Sequence, residues 1–382
     1  MTICLFFTHG MSLKKWDDTG LLHREVKLYI KLVQLGYKVI FFTYGDESDL
    51  LYQKILPGIK IIPAWKGWKK IPSEKISFFC SWFLPWKFRK EFSGIDCIKT
   101  NQMWGAWVPL IFRFFTKTPL FVRCGYEAYK NLLKESGSQI TRVLLYWVSR
   151  WAYASGDKVA LSCKSDLEFA VNTFGLDTNK AFVHPNCVDT QLFCPQTPDI
   201  YYSDRLLYVG RLDTQKNLDS LIKAVRFSNV GLDIIGSGNL KDALILLANQ
   251  TGADVNFYDI VPNSELSRIF ARYPVFILPS KYENSPKALL EAMSCGKAVI
   301  GSYVDGIKEV IIDGENGLLS GTSMDSLAKN INKLIKNEAL LKKLGNSARR
   351  YILDNYALEE YVQREIKVYE EIKNRKKVCK RC

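Results

Sequence analysis

Two glutamates stand eight positions apart in KYENSPKALLEAM, with a proline between them: Glu283 and Glu291. On one continuous helix they would point about 80° apart at 3.6 residues per turn. Pro286 argues against a continuous helix, because proline fits a first turn and drives the residue before it out of helical geometry. The reading is therefore Glu283 in a loop, after the apolar run YPVFILPS, and Glu291 on the second turn of the helix that follows. Ser285 is the expected N-cap and Pro286 the expected first helical residue. Such a helix start offers free N–H groups and a positive dipole end, which suits a diphosphate. A carboxylate accepting from a neutral hydroxyl makes a bond worth about 1.5–3 kcal/mol, and sugars carry such hydroxyls. The plainer alternative has Glu283 complementing the dipole and Glu291 facing solvent. Ala288, Leu289, Leu290, Ala292 and Met293 make the rest of that helix apolar, which weighs against it.

Two further stretches have the same character. In YVGRLDTQKN a strand ends at Gly210, Arg211 follows at once, and Lys216 comes six residues after Gly210. Arginine can grip phosphate with its planar fork, and lysine acts as a point charge. A surface loop with two solvated bases is the alternative. In IIGSGNL a strand closes on Gly236 and Gly238, which allow a close backbone approach to a ligand. Their spacing is not G-x-G-x-x-G, so no dinucleotide fingerprint is read.

These residues need a scaffold that gathers strand ends. Strands are expected at Ile3–Phe7, Lys38–Thr43, Cys97–Asn101, Leu120–Arg123 and Lys158–Ser162, then at Leu206–Gly210, Leu232–Ile235, Val255–Tyr258, Val275–Leu278 and Ala298–Gly301. Helical segments lie between them. Alternating strands and helices imply parallel sheets, and two such runs imply two doubly wound α/β domains. The boundary is expected in HPNCVDTQLFCPQTPD (His184–Asp199), where turn residues cluster. Open α/β sheets bind ligands beyond the carboxyl ends of their strands, where all three stretches fall.

The chain has 382 residues, 47% of them apolar, enough for two cores. Its net charge of +14 points to an anionic partner. MTICLFFTHG reads as a first strand rather than a signal peptide. The run ISFFCSWFLPW is too short to span a bilayer. Ten scattered cysteines do not form a disulfide framework, and the terminal Cys379–Cys382 pair stands alone in a basic tail. All nine tryptophans lie at or before Trp151, and four fall within Gly58–Phe92, which holds eight Lys/Arg against two Glu. Bases mixed with Trp and Phe suit an anionic membrane interface. Ordinary core or cleft tryptophans are the alternative. Nucleic acid ranks lower, because no nucleic-acid motif accompanies the rings.

YVGRLDTQKN, SKYENSPKALLEAMSCGKAVIG and DGENGLL together resemble a GT4-type retaining glycosyltransferase (glycosyl transferases group 1) with the GT-B fold. HPNCVDTQLF resembles that family's inter-domain segment, with Cys187 where glycine is usual. The strong match covers about Val183–Leu319. The resemblance implies two Rossmann-like domains facing across a cleft. Residues 1–185 would bind the acceptor, residues 186–355 the nucleotide-sugar donor, and a helix over about 356–382 would pack back on the first domain. Catalysis would fall to Glu283, Lys216 and Arg211. Gly210, Arg211, Lys216, Gly236, Gly238, Asn284, Ser285, Pro286, Lys287 and Glu291 would hold the donor. Arg211 and Lys216 would take the diphosphate, Glu283 the sugar hydroxyls and Glu291 the ribose. No metal and no cofactor beyond the nucleotide sugar are expected, so Trp16-Asp17-Asp18 reads as a loop rather than a metal motif. The first half departs from the family pattern. Its glycine-rich loop is reduced to Thr19-Gly20, and VRCGYEAY stands where many members carry a catalytic His.

The resulting expectation is a cytoplasmic enzyme, peripheral on the inner face of the membrane. It would move a sugar from a nucleoside diphosphate to a glycan acceptor, lipid-linked, in cell-surface polysaccharide assembly, with no nucleic-acid partner. The competing reading is a non-catalytic nucleotide-sugar or glycan-binding protein of the same fold. A nucleotide-sugar epimerase is a third.

Overall fold

The structure is a computed structural model that describes residues 1–68, 73–133 and 138–379, with side chains as far as 374. The chain divides into two compact units: Met1–Pro185 with Val362–Cys382, and Asn186–Tyr361. Each is built on one parallel sheet.

The first sheet comprises β1 (Thr2–Phe6), β2 (Lys38–Thr43), β3 (Ile59–Pro63), β4 (Cys97–Thr100), β5 (Leu120–Cys124), β6 (Lys158–Leu161) and β7 (Ala181–Val183), in spatial order β3-β2-β1-β4-β5-β6-β7. Its central strands are near-continuous apolar runs, such as TICLF and LFVRC, buried on both faces as a covered parallel sheet requires. The register sets Ile3 beside Val39 on one side and Cys97 on the other. The final helix, Leu358–Cys379, starts in the second unit and belongs to the first from Val362 onward. There Tyr369 sits edge-on to Phe121, with ring centroids 5.9 Å apart.

The second sheet comprises β8 (Arg205–Val209), β9 (Gly231–Ile235), β10 (Val255–Tyr258), β11 (Val275–Leu278), β12 (Ala298–Ser302) and β13 (Leu318–Ser320), ordered β10-β9-β8-β11-β12-β13. β8 and β11 are neighbours, with Leu206 opposite Val275. From β8 the chain moves outward to β9; from β11 it moves outward the other way to β12. Their following loops therefore part company at a topological switch point, the place where open sheets leave a crevice.

Ten strands fall within one residue of their expected positions. The sequence reading omitted β3, β7 and β13, and each lies at the edge of its sheet. β3 ends on Pro63, which is tolerated at an edge because no ladder donor is needed there. Trp16, Asp17 and Asp18 lie on the helix Leu13–Asp18, not in a loop. The apolar face of that short helix is what fixes it: Trp16 is buried and stacks on Phe7 with centroids 4.0 Å apart. Thr19 and Gly20 close this helix, so the loop directly after β1 carries His9 and Gly10 instead. The tryptophans of the basic stretch divide: Trp65 is buried, whereas Trp68 and Trp86 are exposed. Lys69 and Lys70 of that stretch lie outside the described residues.

Candidate active site

The loops after β8 and β11 meet at the switch point of the second unit. After β8, Gly210 is held by its N–H to Ile235 O (3.0 Å), and a single 3-10 turn carries Thr214–Lys216. Asn217 then adopts a left-handed φ of +54°, which its short amide side chain tolerates. Its Nδ2 donates to Pro279 O (3.1 Å) and Thr322 O (2.9 Å), tying this turn to the β11 loop.

Gln215 makes the second tie. Its Nε2 donates to Tyr282 O (2.8 Å), and its carbonyl accepts from Lys281 N (2.8 Å). Its Oε1 accepts from Arg211 Nη2 (3.1 Å). With the two loops registered in this way, Lys216 Nζ forms an ion pair with the Glu283 carboxylate. Ser280 Oγ donates to the same carboxylate at 2.8 Å. The pair is largely sheltered, with side chains 12% and 9% exposed, whereas Arg211 is 69% exposed and leans on Asp213 at 3.0 Å. A sheltered acid–base pair beside an exposed guanidinium can exchange its internal partners for those of a ligand: phosphate for Lys216, hydroxyl for Glu283.

Glu291 lies on the helix Lys287–Ser294 and is buried; Asn263 Nδ2 donates to its Oε1 at 3.0 Å. The solvent-facing alternative for Glu291 is thereby excluded. The helix start differs from expectation. Pro286 is the cap residue, with extended ψ of 103°, and helical geometry begins at Lys287. Ser285 is not the N-cap: its Oγ accepts from Asn186 N (3.0 Å) and its carbonyl from Asn186 Nδ2 (2.8 Å). A partner 99 residues away thus takes the serine that local preference would assign to the helix. Asn284 is buried, and Gly306 N donates to Glu283 O at 3.1 Å. A side chain at Gly306 would overlap the Asn284 carbonyl, so only glycine lets that turn hold the Glu283 loop.

Gly236 and Gly238 permit an approach to backbone. A Cβ on Gly236 would collide with Gly210 O, and one on Gly238 with Leu212 O. The loops are zipped there by Leu212 N to Ser237 O (2.9 Å) and Leu240 N to Leu212 O (3.1 Å). These glycines therefore set the path of the Arg211 loop. Every residue singled out in the three stretches lies in or beside these loops. Sequence reasoning missed Gln215, Ser280 and Asn263, which hold the charged groups. Gln215 alone carried a signal, sitting between Arg211 and Lys216 in YVGRLDTQKN.

The first unit has its own switch point, between β1 and β4. His9 follows β1, buried among Tyr44, Trp104 and Trp107, with Nε2 3.1 Å from Ser77 Oγ. Burial pulls its pKa below the ordinary value, which keeps it neutral. In VRCGYEAY, Glu127 is buried and hydrogen-bonds to Tyr153 OH and Tyr129 N. Burial raises its carboxyl to about 7, against the lowering effect of the Tyr153 bond. Among the described residues no cluster of three or more His, Cys, Asp or Glu side chains is arranged to hold a metal ion.

Residues 203–351 match the model of the family described as glycosyl transferases group 1. An uncharacterized glycosyltransferase of Methanocaldococcus jannaschii is 30% identical over 171 residues, 43% of this chain and 44% of the relative. The matched stretch spans about half the length of the first curated relatives. The N-acetylgalactosamine-N,N'-diacetylbacillosaminyl-diphospho-undecaprenol 4-alpha-N-acetylgalactosaminyltransferase of Campylobacter jejuni is 26% identical over 73% of this chain and 78% of its own. Among solved structures, Anabaena Alr3699/HepE in complex with UDP superposes with a TM-score of 0.77 at 16% identity, covering 97% of this chain and all of that one (100%). A complex of the same protein with UDP-glucose gives 0.75. Likeness at this level establishes the fold, which is the α/β GT-B fold.

Proposed function

We propose, for a chain that belongs to the glycosyl transferases group 1, that it moves a sugar from a nucleoside-diphosphate donor to a glycan acceptor with retention of anomeric configuration. The observation that carries this reading is the Lys216–Glu283 pair at the β8/β11 switch point, with Arg211 at its rim.

In the reaction the bond between the anomeric carbon and the diphosphate oxygen breaks, and an acceptor hydroxyl bonds to that carbon from the same face. The departing diphosphate gains charge, and Lys216 and Arg211 stabilise it; preorganised charge of this kind is worth the most where water is excluded. The leaving phosphate oxygen takes the acceptor proton, so no protein nucleophile is required. Glu283, freed from Lys216, accepts from a donor-sugar hydroxyl, with Ser280 still bonded to its Oε1. Glu291 accepts from the ribose hydroxyls, with Asn263 fixing its carboxylate. The N–H groups of Asn284, Ser285 and Lys287 meet sugar and phosphate at the helix start. The bases and the helix dipole do the work a metal does elsewhere, so transfer is proposed to be metal-independent. Residues 186–355 would hold the donor and residues 1–185 the acceptor.

The UDP and UDP-glucose complexes of HepE support a uridine donor. The diphospho-undecaprenol in the Campylobacter enzyme's name supports a lipid-linked acceptor. That acceptor and the +14 net charge favour a cytoplasmic protein peripheral on the inner membrane face, serving cell-surface polysaccharide assembly.

The test is the purified protein with a panel of nucleotide sugars and polyprenyl-linked or soluble glycan acceptors, without added metal. Retained configuration is read by NMR. Lys216→Ala and Glu283→Gln should each lower transfer about 10²–10³-fold, the scale for losing one transition-state contact. Wild-type-like transfer in either variant overturns the site. Binding without turnover across the panel leaves the non-catalytic reading in its place.

A further inference from the structure

The first unit presents an apolar face that the chain leaves uncovered. On the helix Gln139–Ser155, Ile140, Val143, Trp147 and Trp151 follow one another at three, four and four residues. That spacing lines them along one side over about 16 Å. They are exposed, Trp147 by 60% and Ile140 by 80%, while Leu145, Val148, Ala152 and Tyr153 are buried. The helix is thus apolar on two sides, and only one of them faces the core.

A second exposed apolar patch lies on the neighbouring helices. The helix Trp107–Thr116 packs against both Gln139–Ser155 and the short helix Leu84–Lys87. At its end Phe114 and Phe115 are exposed. Trp86 meets Phe115 with centroids 4.9 Å apart, and exposed Phe83 lies 6.2 Å from Trp86. Lys117 Nζ stands 5.2 Å over the Phe114 ring. Rings at 83, 86, 114 and 115 therefore form one continuous aromatic surface with a base at its margin.

Charge decides what covers it. The segments 84–90, 107–117 and 139–155 contain seven Lys/Arg and no Asp or Glu; Arg113 is paired with Asp157 and Glu91 follows the first segment, and bases stay in excess of acids. A copy–copy or protein interface core is depleted in charged residues, and in lysine above all, and Lys87, Lys90 and Lys117 border these rings. Exposed Trp and Phe bordered by Lys and Arg suit an anionic bilayer, with rings at headgroup depth and bases at the lipid phosphates. Among the described residues no helix is long and apolar enough to cross a membrane. We propose that the outer faces of these three neighbouring segments dock the protein on an anionic lipid surface, through Trp86, Phe114, Phe115, Val143, Trp147 and Trp151. This names the surface behind the membrane contact proposed above, and rests on that reading.

The experiment is co-sedimentation of the full chain with phosphatidylglycerol/phosphatidylcholine vesicles and with phosphatidylcholine alone. The double variants Trp147→Ser/Trp151→Ser and Trp86→Ser/Phe115→Ser are compared with Ile140→Glu/Val143→Glu, whose sites are exposed enough to leave folding intact. We expect binding to the anionic vesicles only, weakened by salt, and at least tenfold weaker in every variant, with Tm and transfer to a soluble acceptor unchanged. Vesicle binding equal to wild type in the variants overturns the surface while leaving membrane association standing. No wild-type binding overturns both. A wild-type dimer that Trp147→Ser/Trp151→Ser returns to monomer, with vesicle binding unaltered, assigns the stripe to a second copy and overturns the proposal.

Discussion

Replacing Glu365 with alanine would leave a lysine unpaired inside the first unit. Lys99 projects from β4 and Glu365 from the final helix, with side chains 1% and 0% exposed. Lys99 Nζ donates to Oε1 at 2.5 Å, Tyr369 OH donates to Oε2 at 2.7 Å, and His184 Nε2 lies 3.8 Å from Oε1. Burial pushes the Glu365 carboxyl up, but the Lys99 charge, with His184 and the hydrogen bonds, outweighs it and holds the group well below the usual carboxylate range. A depressed pKa gives stability that is present above the unfolded value of 4.5 and lost as pH falls below it. Removing one partner of such a pair costs about 3–5 kcal/mol. The cost has a ceiling, because Lys99 can shed its proton instead. From an unfolded value of 10.5, that escape costs about 5 kcal/mol at pH 7 but only about 2 kcal/mol at pH 9. Glu365→Ala should therefore hurt less as pH rises from 7 to 9. All nine tryptophans lie in the first unit, so intrinsic fluorescence in urea reports on that unit alone. The double variant Lys99→Met/Glu365→Leu should recover most of the loss, since a buried pair replaced by apolar groups is often neutral. A single-variant cost below about 1 kcal/mol, a cost that does not change with pH, or a double variant as unstable as the single would refute the reasoning.

Glu127→Gln addresses a second buried carboxyl of the first unit. Its folded pKa of about 7 lies above the unfolded 4.5, so the stability it lends is full below 4.5 and is lost as pH rises through 7. Wild type should lose about 3 kcal/mol relative to Glu127→Gln between pH 4.5 and 8, read by the same tryptophan signal; parallel pH curves would refute this. Gly236→Ala places a Cβ against Gly210 O at a φ of +150° and should displace the Arg211 loop. Strain of about 1–3 kcal/mol is expected at such a site. Calorimetric titration with UDP should show weaker binding than wild type, and unchanged affinity would show that the two loops move independently.

The legible parts of this molecule are those decided within a dozen residues. Central strands such as TICLF and KVIFFT announce themselves because both faces are buried, whereas the edge strands β7 and β13 are three residues long and β3 is broken by exposed Lys60 and ends on Pro63. The two glutamates were legible because Pro286 separates loop from helix locally. The helix cap was misread for the converse reason: Ser285 bonds to Asn186, and no local preference foretells a partner 99 residues away. Ser280 was illegible in the same way, since it matters only once β8 and β11 lie side by side, and the place of Gln215 between Arg211 and Lys216 marks its neighbourhood but not its bonds. Helix Gln139–Ser155 sharpens the point. Its Ile140–Trp151 stripe has the spacing of a core face, and so does the side carrying Leu145, Val148 and Ala152. Periodicity says that both sides are apolar, and only the packing of neighbours on the sheet decides which is buried. The rejected side is then free to meet another solvent, and the bases along these segments, with no acid among them, specify an anionic one.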